Sequence, residues 1–193
     1  MKHRNETEIK LEVHDRKAVK RRLKKLGLRV IQPRHFEGNG LFDFQDLRLW
    51  KARCLLRLRQ EGKRWLLTYK GTPLDSREYK IRREIETLVS DGPAVREILN
   101  ALGFHEAFRY EKFRTVYAAS SKSPREGSNQ LLLDETPIGD YLELEGSKRW
   151  IDHVARELGY GREDYITASY ASLYRQACEK LGKKPASMVF EKS

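Results

Sequence analysis

The chain has 193 residues, enough for one substantial domain with its own core and short for two, so residues 1–193 are expected to form a single domain. Charged residues make up 35% and hydrophobic residues 39%, a polar balance whose regular apolar periodicity excludes a disordered chain; no apolar run is long enough for a signal core or a membrane span. The net charge of +11 calls for an anionic partner, whether nucleic acid, a membrane surface or a compact phosphate ester, without choosing among them.

The opening stretch alternates. Glu6, Glu8, Lys10 and Glu12 fall on one side and Thr7, Ile9, Leu11 and Val13 on the other, the pattern of a strand with two chemically different faces. Asp15 then caps a helix to about Leu26, stopped by Gly27, whose basic run reads as a solvated face. Residues 29–44 read as extended chain broken by a turn at Gly38-Asn39-Gly40. Residues 54–71 read as two strands joined at Glu61-Gly62. Glu78–Val89 is a further strand, and a helix from Asp91 to Leu102 is capped by Ser90 or Asp91 and stopped by Gly103. Strands at 108–119 and 129–135 flank a polar loop, and 140–146 is one more. Two helices, Lys148–Leu158 and about Thr167–Leu181, close the chain before Gly182 and Pro185. The order of strands and helices loosely repeats after Ser90, with no strict period.

Charge recurs on one face of strand after strand. Arg57 pairs with Arg59, Lys80 and Arg82 with Glu84 and Glu86, Lys112 with Arg114, and Glu143 with Glu145, while Lys70 and Asp134 add one charge each. An antiparallel sheet with one wet face would also alternate. Wet strand faces, however, mix Thr, Ser, Lys and Gln, whereas these positions are almost purely charged, with like charges about 7 Å apart on one face. Closing the strands into a barrel points these faces inward, where opposite signs compensate and the apolar faces turn out toward helices. Carboxylates from separate strands suit Mg²⁺ or Mn²⁺, and a lysine–arginine lining suits phosphate oxygens.

These residues resemble the CYTH, or triphosphate tunnel metalloenzyme, superfamily. Its E-x-E-x-K opening is matched by Glu6, Glu8 and Lys10, and R-x-R by Arg57 and Arg59. Lys70 follows in a strand, R-x-E-x-E is Arg82, Glu84 and Glu86, and K-x-R is Lys112 and Arg114. Asp134 and the pair Glu143 and Glu145 supply the later acids, and Ser169–Tyr174 is similar to the family's closing Ser-Tyr helix. The resemblance implies an α+β fold, an eight-stranded antiparallel barrel with a charged interior covered by helices. It further implies Glu6, Glu8, Glu143 and Glu145 as main metal ligands, and Glu84, Glu86 and Asp134 as ligands of a second ion or holders of water. The phosphate clamp it implies is Lys10, Arg57, Arg59, Lys70, Arg82, Lys112 and Arg114. Glu12 and Lys80 share these faces outside the motifs and are placed as outer supports.

Phosphoryl transfer needs positioning and charge neutralisation rather than a Ser-His or Cys-His nucleophile, and Glu84 or Glu86 could orient a water. The expected activity is metal-dependent hydrolysis of a linear triphosphate: inorganic tripolyphosphate, thiamine triphosphate or a nucleoside triphosphate. Class IV adenylyl cyclase chemistry, ATP to cyclic AMP and pyrophosphate, is the alternative on the same tunnel. A non-catalytic RNA or polyanion binder is disfavoured, because Phe113 and Tyr117 alternate away from Lys112 and Arg114 and the carboxylates would repel nucleic acid. The expected partner is thus a small triphosphate, with no membrane and with the chain as a monomer or homodimer. Cys54 and Cys178 lack zinc or redox spacing and fit a cytoplasmic setting.

Overall fold

Two-faced strands can hide both faces only if the sheet closes on itself while helices cover its outside. The computed structural model, which describes residues 4–74, 76, 78–119 and 129–191, shows this arrangement. The strands are β1 (Arg4–Val13), β2 (Arg29–Asp43), β3 (Leu55–Glu61), β4 (Arg64–Lys70), β5 (Lys80–Val89), β6 (His105–Ala118), β7 (Gln130–Thr136) and β8 (Gly139–Glu145). All pairings are antiparallel, and the order β1-β5-β4-β3-β2-β6-β7-β8 returns to β1 as a closed barrel.

The helices are α1 (Arg16–Lys25), α2 (Arg48–Lys51), α3 (Gly92–Ala101), α4 (Lys148–Glu157) and α5 (Tyr170–Lys180), with a short 3₁₀ turn at Arg162–Asp164. Four begin with a side-chain cap: Asp15, Asp91, Ser147 and Ser169 accept from Ala18, Ala94, Trp150 and Ser172 backbone N–H groups. Each such cap contributes about 1 kcal/mol. Val19 and Leu23 of α1 and Ile151, Val154 and Ala155 of α4 pack on Ile9, Leu11, Leu131, Leu133, Leu142 and Leu144. The outward faces of β1, β7 and β8 therefore build the main core, each fully buried leucine or isoleucine adding roughly 1.5–3 kcal/mol. Leu99 and Val95 of α3 cover Phe42, Leu58 and Trp65 in the same way. No helix among the described residues is long and apolar enough to cross a membrane.

Two departures from the sequence expectation have physical causes. The Gly38-Asn39-Gly40 turn is absent: β2 runs through it, pairing Gly38 with Gln60 and Glu111 and Gly40 with Leu58 and Arg109. Neither glycine takes a positive φ. A Cβ on Gly40 would lie 2.5 Å from the Glu106 carboxylate, so the glycine there supplies space rather than a bend. The second departure is α2, held by Asp43, whose Oδ1 accepts from Phe44 N and Leu49 N and whose Oδ2 accepts from Trp50 N at 2.8 Å. The last helix begins at Tyr170 because the Ser169 hydroxyl caps it there. Of the polar loop expected at 120–129, residues 120–128 lie outside the described residues.

Candidate active site

Strand parity and register together assemble the interior. Glu6 stands opposite Arg82, Lys10 opposite Glu143, Lys70 opposite Glu84, Lys112 opposite Glu37 and Arg114 opposite Asp134. Opposite charges facing across a ladder favour the pairing. Like charges also meet: Glu37 faces Glu61 and Glu135 faces Asp140, and a third pair lies in the acidic part of the interior. Glu8 has Lys80 on one flank but Glu145 directly opposite on the other, and Glu6 joins them so that one oxygen of each lies within 4.8 Å of the others.

The cavity inside the barrel measures about 600 Å³, within the ordinary range for small-ligand sites. Nine lysine or arginine side chains line it against six glutamates, an excess of positive charge suited to an anion. Lys10, Arg57, Arg59, Lys70, Arg82, Lys112 and Arg114 all reach it, as do Glu6, Glu8, Glu84, Glu86, Glu143 and Glu145. Asp134 does not line it. Its carboxylate is fully buried and accepts from Lys112 Nζ (2.7 Å), Arg114 Nε (2.7 Å) and Nη2 (2.6 Å), and the Tyr170 hydroxyl (2.8 Å). Glu12 is exposed at the end of β1, whereas Lys80 is buried in the lining, 3.0 Å from Glu8.

Electrostatics divide the site. Burial opposes the charge of Lys10, but Glu143 at 3.1 Å and Glu8 at 3.5 Å hold its pKa above the lysine norm. Lys70 is raised likewise against burial by Glu6, Glu8 and Glu84. Burial would push Glu84 up, but Lys70 at 3.1 Å holds it down at about 2. Glu8 and Glu143 also stay ionised against burial, held well below the usual carboxylate value by their lysine and arginine neighbours. Glu6 and Glu145 behave oppositely. Burial lifts Glu6 despite Lys70, and Glu145, Glu8 and Glu84 add to the rise. Burial and Glu143 lift Glu145. At Lys80 burial outweighs the Glu8 ion pair and brings the pKa down to about 8.

Several lining or bracing residues escaped the sequence reading. Tyr110 shares the face of Lys112 and Arg114, and Glu37 and Asn39 share one face of β2. Arg59 donates to Asn39 Oδ1 (3.1 Å), to Glu37 Oε1 (3.3 Å) and to Glu61 Oε1 (3.2 Å). His35, Glu37 and Glu61 form a second carboxylate-rich group, but Arg59, Lys112 and Arg114 already answer its charge. Tyr170 closes one side of the cavity, its ring 5.2 Å from Lys10 Nζ and 5.1 Å from Lys112 Nζ.

The sequence profile of the CYTH domain matches residues 4–170. The chain belongs to the CYTH family. A Methanocaldococcus jannaschii protein provisionally named adenylate cyclase is 30% identical over 172 residues, 87% of this chain and 97% of that protein. The barrel superposes on the solved structure of a Vibrio parahaemolyticus protein, also provisionally named adenylate cyclase, with a TM-score of 0.74. That match is 18% identical and covers 89% of this chain and 98% of the other. A Hippeastrum protein provisionally called an adenylyl cyclase, and described as having a dominant triphosphatase activity, shares the CYTH barrel. Its TM-score is 0.61 at 18% identity, over 93% of this chain and 97% of that one. CYTH enzymes act as triphosphatases or adenylyl cyclases and depend on a metal, and the cluster of Glu6, Glu8 and Glu145 offers hard oxygens for one.

Proposed function

We propose that the tunnel holds a linear triphosphate together with Mg²⁺ or Mn²⁺ and hydrolyses it. The observation that carries this reading is a pair of buried donors without acceptors: the Nε–H groups of Arg57 and Arg82, both on cavity-lining side chains, meet no hydrogen-bond partner among the described residues. A buried donor left unpaired is costly, and phosphate oxygens would satisfy both. Glu6, Glu8 and Glu145 fit a divalent ion, since the like-charged face of Glu8 on Glu145 and the raised pKa values of Glu6 and Glu145 mark a site short of positive charge. Such an ion supplies charge neutralisation at the phosphate and lowers the pKa of a bound water.

This chain's own side chains do the rest. Lys10, Lys70, Arg57, Arg59, Arg82, Lys112 and Arg114 clamp the phosphates and offset charge as it develops on the transferring group. Glu143 borders the acidic cluster while pairing with Lys10, and Glu84 or Glu86 orients the attacking water. Asp134 has its hydrogen-bonding capacity taken up by Lys112, Arg114 and Tyr170, so it aims the clamp instead of binding metal. The cyclase reading keeps the same clamp but has a ribose hydroxyl attack the α-phosphorus, and the name of the Methanocaldococcus relative favours weighing it. The free thiols of Cys54 and Cys178 suit a cytoplasmic enzyme, a monomer or homodimer.

The deciding experiment incubates the protein with tripolyphosphate, thiamine triphosphate and ATP, each with Mg²⁺ or Mn²⁺, and separates the products. Inorganic phosphate supports the triphosphatase. Cyclic AMP with pyrophosphate replaces it by the cyclase, and no turnover of any substrate overturns both.

A further inference from the structure

A second cavity of about 220 Å³ abuts the tunnel, and Leu41, Leu55 and Ala171 line both. Its chemistry is different. Leu47, Trp50, Phe108 and Tyr174 line it, and the rings of Phe108 and Tyr174 lie 5.8 Å apart. Leu47 and Trp50 are 40% and 38% exposed, an apolar surface left open beside a charged tunnel.

The fold spends effort on placing that surface. Leu47 and Arg53, which bracket α2, both take left-handed backbone angles (φ 55° and 59°) that non-glycine residues rarely adopt. Asp43 fixes the same turn through three backbone N–H groups, two of them on Leu49 and Trp50. With its carboxylate so occupied, the charged group left at this cavity is Arg175, whose guanidinium lies 4.5 Å from the Trp50 ring centre.

We propose that this side cavity seats the base of a nucleoside triphosphate whose phosphates lie in the tunnel. The inference rests on the tunnel being a triphosphate site, and it names the substrate class. An inorganic triphosphate has no apolar part and would leave Trp50 and Leu47 unused. A neutral flat base stacks on aromatic side chains and offers ring nitrogens and carbonyls to Arg175. The thiazolium of thiamine triphosphate carries a positive charge that Arg175 repels.

The test titrates the wild type, Trp50→Ala and Trp50→Phe with ATP, tripolyphosphate and thiamine triphosphate in the presence of Mg²⁺, following binding by calorimetry and tryptophan emission. Trp50→Ala should lower the affinity for ATP relative to tripolyphosphate about tenfold, the size of one lost base–aromatic stack. Trp50→Phe, which keeps a ring, should lose less. ATP should perturb the emission of the wild type more than that of Trp50→Phe. If Trp50→Ala shifts both ligands alike, or neither, the base site is overturned while the tunnel reading stands. A larger loss for thiamine triphosphate than for ATP overturns the nucleoside assignment. A wild type that binds no triphosphate overturns this inference and the proposed function together.

Discussion

Arg57 is held through its Nη2 by Thr68 and Glu86 and interacts with Tyr110, yet its Nε–H has no acceptor among the described residues and can take one from a ligand. Arg57→Ala should therefore lower kcat/KM for the triphosphate by about 1.5–3 kcal/mol equivalent, the worth of a charge-assisted hydrogen bond. Arg57→Lys should recover only part of it, since a point charge replaces a planar fork; steady-state kinetics on the three proteins check both statements. Glu6 gives a prediction in pH. Burial and three neighbouring glutamates raise its folded-state pKa despite Lys70, so the folded protein binds that proton more tightly than the unfolded chain does. Stability from this group is accordingly lost as pH rises from the ordinary glutamate value through the raised one. Glu6→Gln should flatten that decline in urea-unfolding curves across the interval, hold or raise stability at neutral pH, and abolish metal-dependent turnover. Residue by residue, parity along each strand made the motif charges legible, because Glu6, Glu8 and Lys10 can only share a face. The same parity puts Tyr110 on the face of Lys112 and Arg114, opposite Phe113 and Tyr117. The place of Asp134 was not legible, since its burial depends on Tyr170 from a distant helix.

Helices on this barrel work as covers, and the fit of each cover rests on a few positions. Gly92 opens α3 against Trp65, where an added Cβ would fall 2.0 Å from Cδ2 of the indole. Gly92→Ala should cost about 1–3 kcal/mol through overpacking. The midpoint of urea unfolding reads this directly, and an unchanged midpoint would mean that Trp65 moves freely aside. Helix starts were legible at the caps Asp15 and Asp91, whereas the last helix, expected from about Thr167, starts at Tyr170 behind the Ser169 cap. The α2 turn was not legible, because left-handed angles at Leu47 and Arg53 carry no glycine to announce them. Gly38 and Gly40 announced a turn that does not exist, since a glycine that makes room looks in sequence like one that bends the chain.

At the scale of the molecule, the tunnel does not account for the net charge by itself. Helix α1 carries seven lysines and arginines and no acid in ten residues, so much of the basic character faces solvent away from the cavity. Affinity for polyanions in general is then a poor measure of the site, and a ligand effect must be tied to an interior residue. Tripolyphosphate with Mg²⁺ should raise the melting temperature of the wild type by mass action and raise that of Lys10→Ala much less. Equal shifts would place the polyanion outside the tunnel. The closed barrel also has a consequence for how the protein is made. One edge of β1 pairs with β5 and the other with β8, Glu8 meeting Glu145. Of the barrel's eight strands, the one made first thus waits longest for its second neighbour, roughly seven to twenty-six seconds at ordinary translation rates. Throughout that interval Ile9 and Leu11 lack part of their cover, and the nascent chain offers an open strand edge that a chaperone, or another copy, can take.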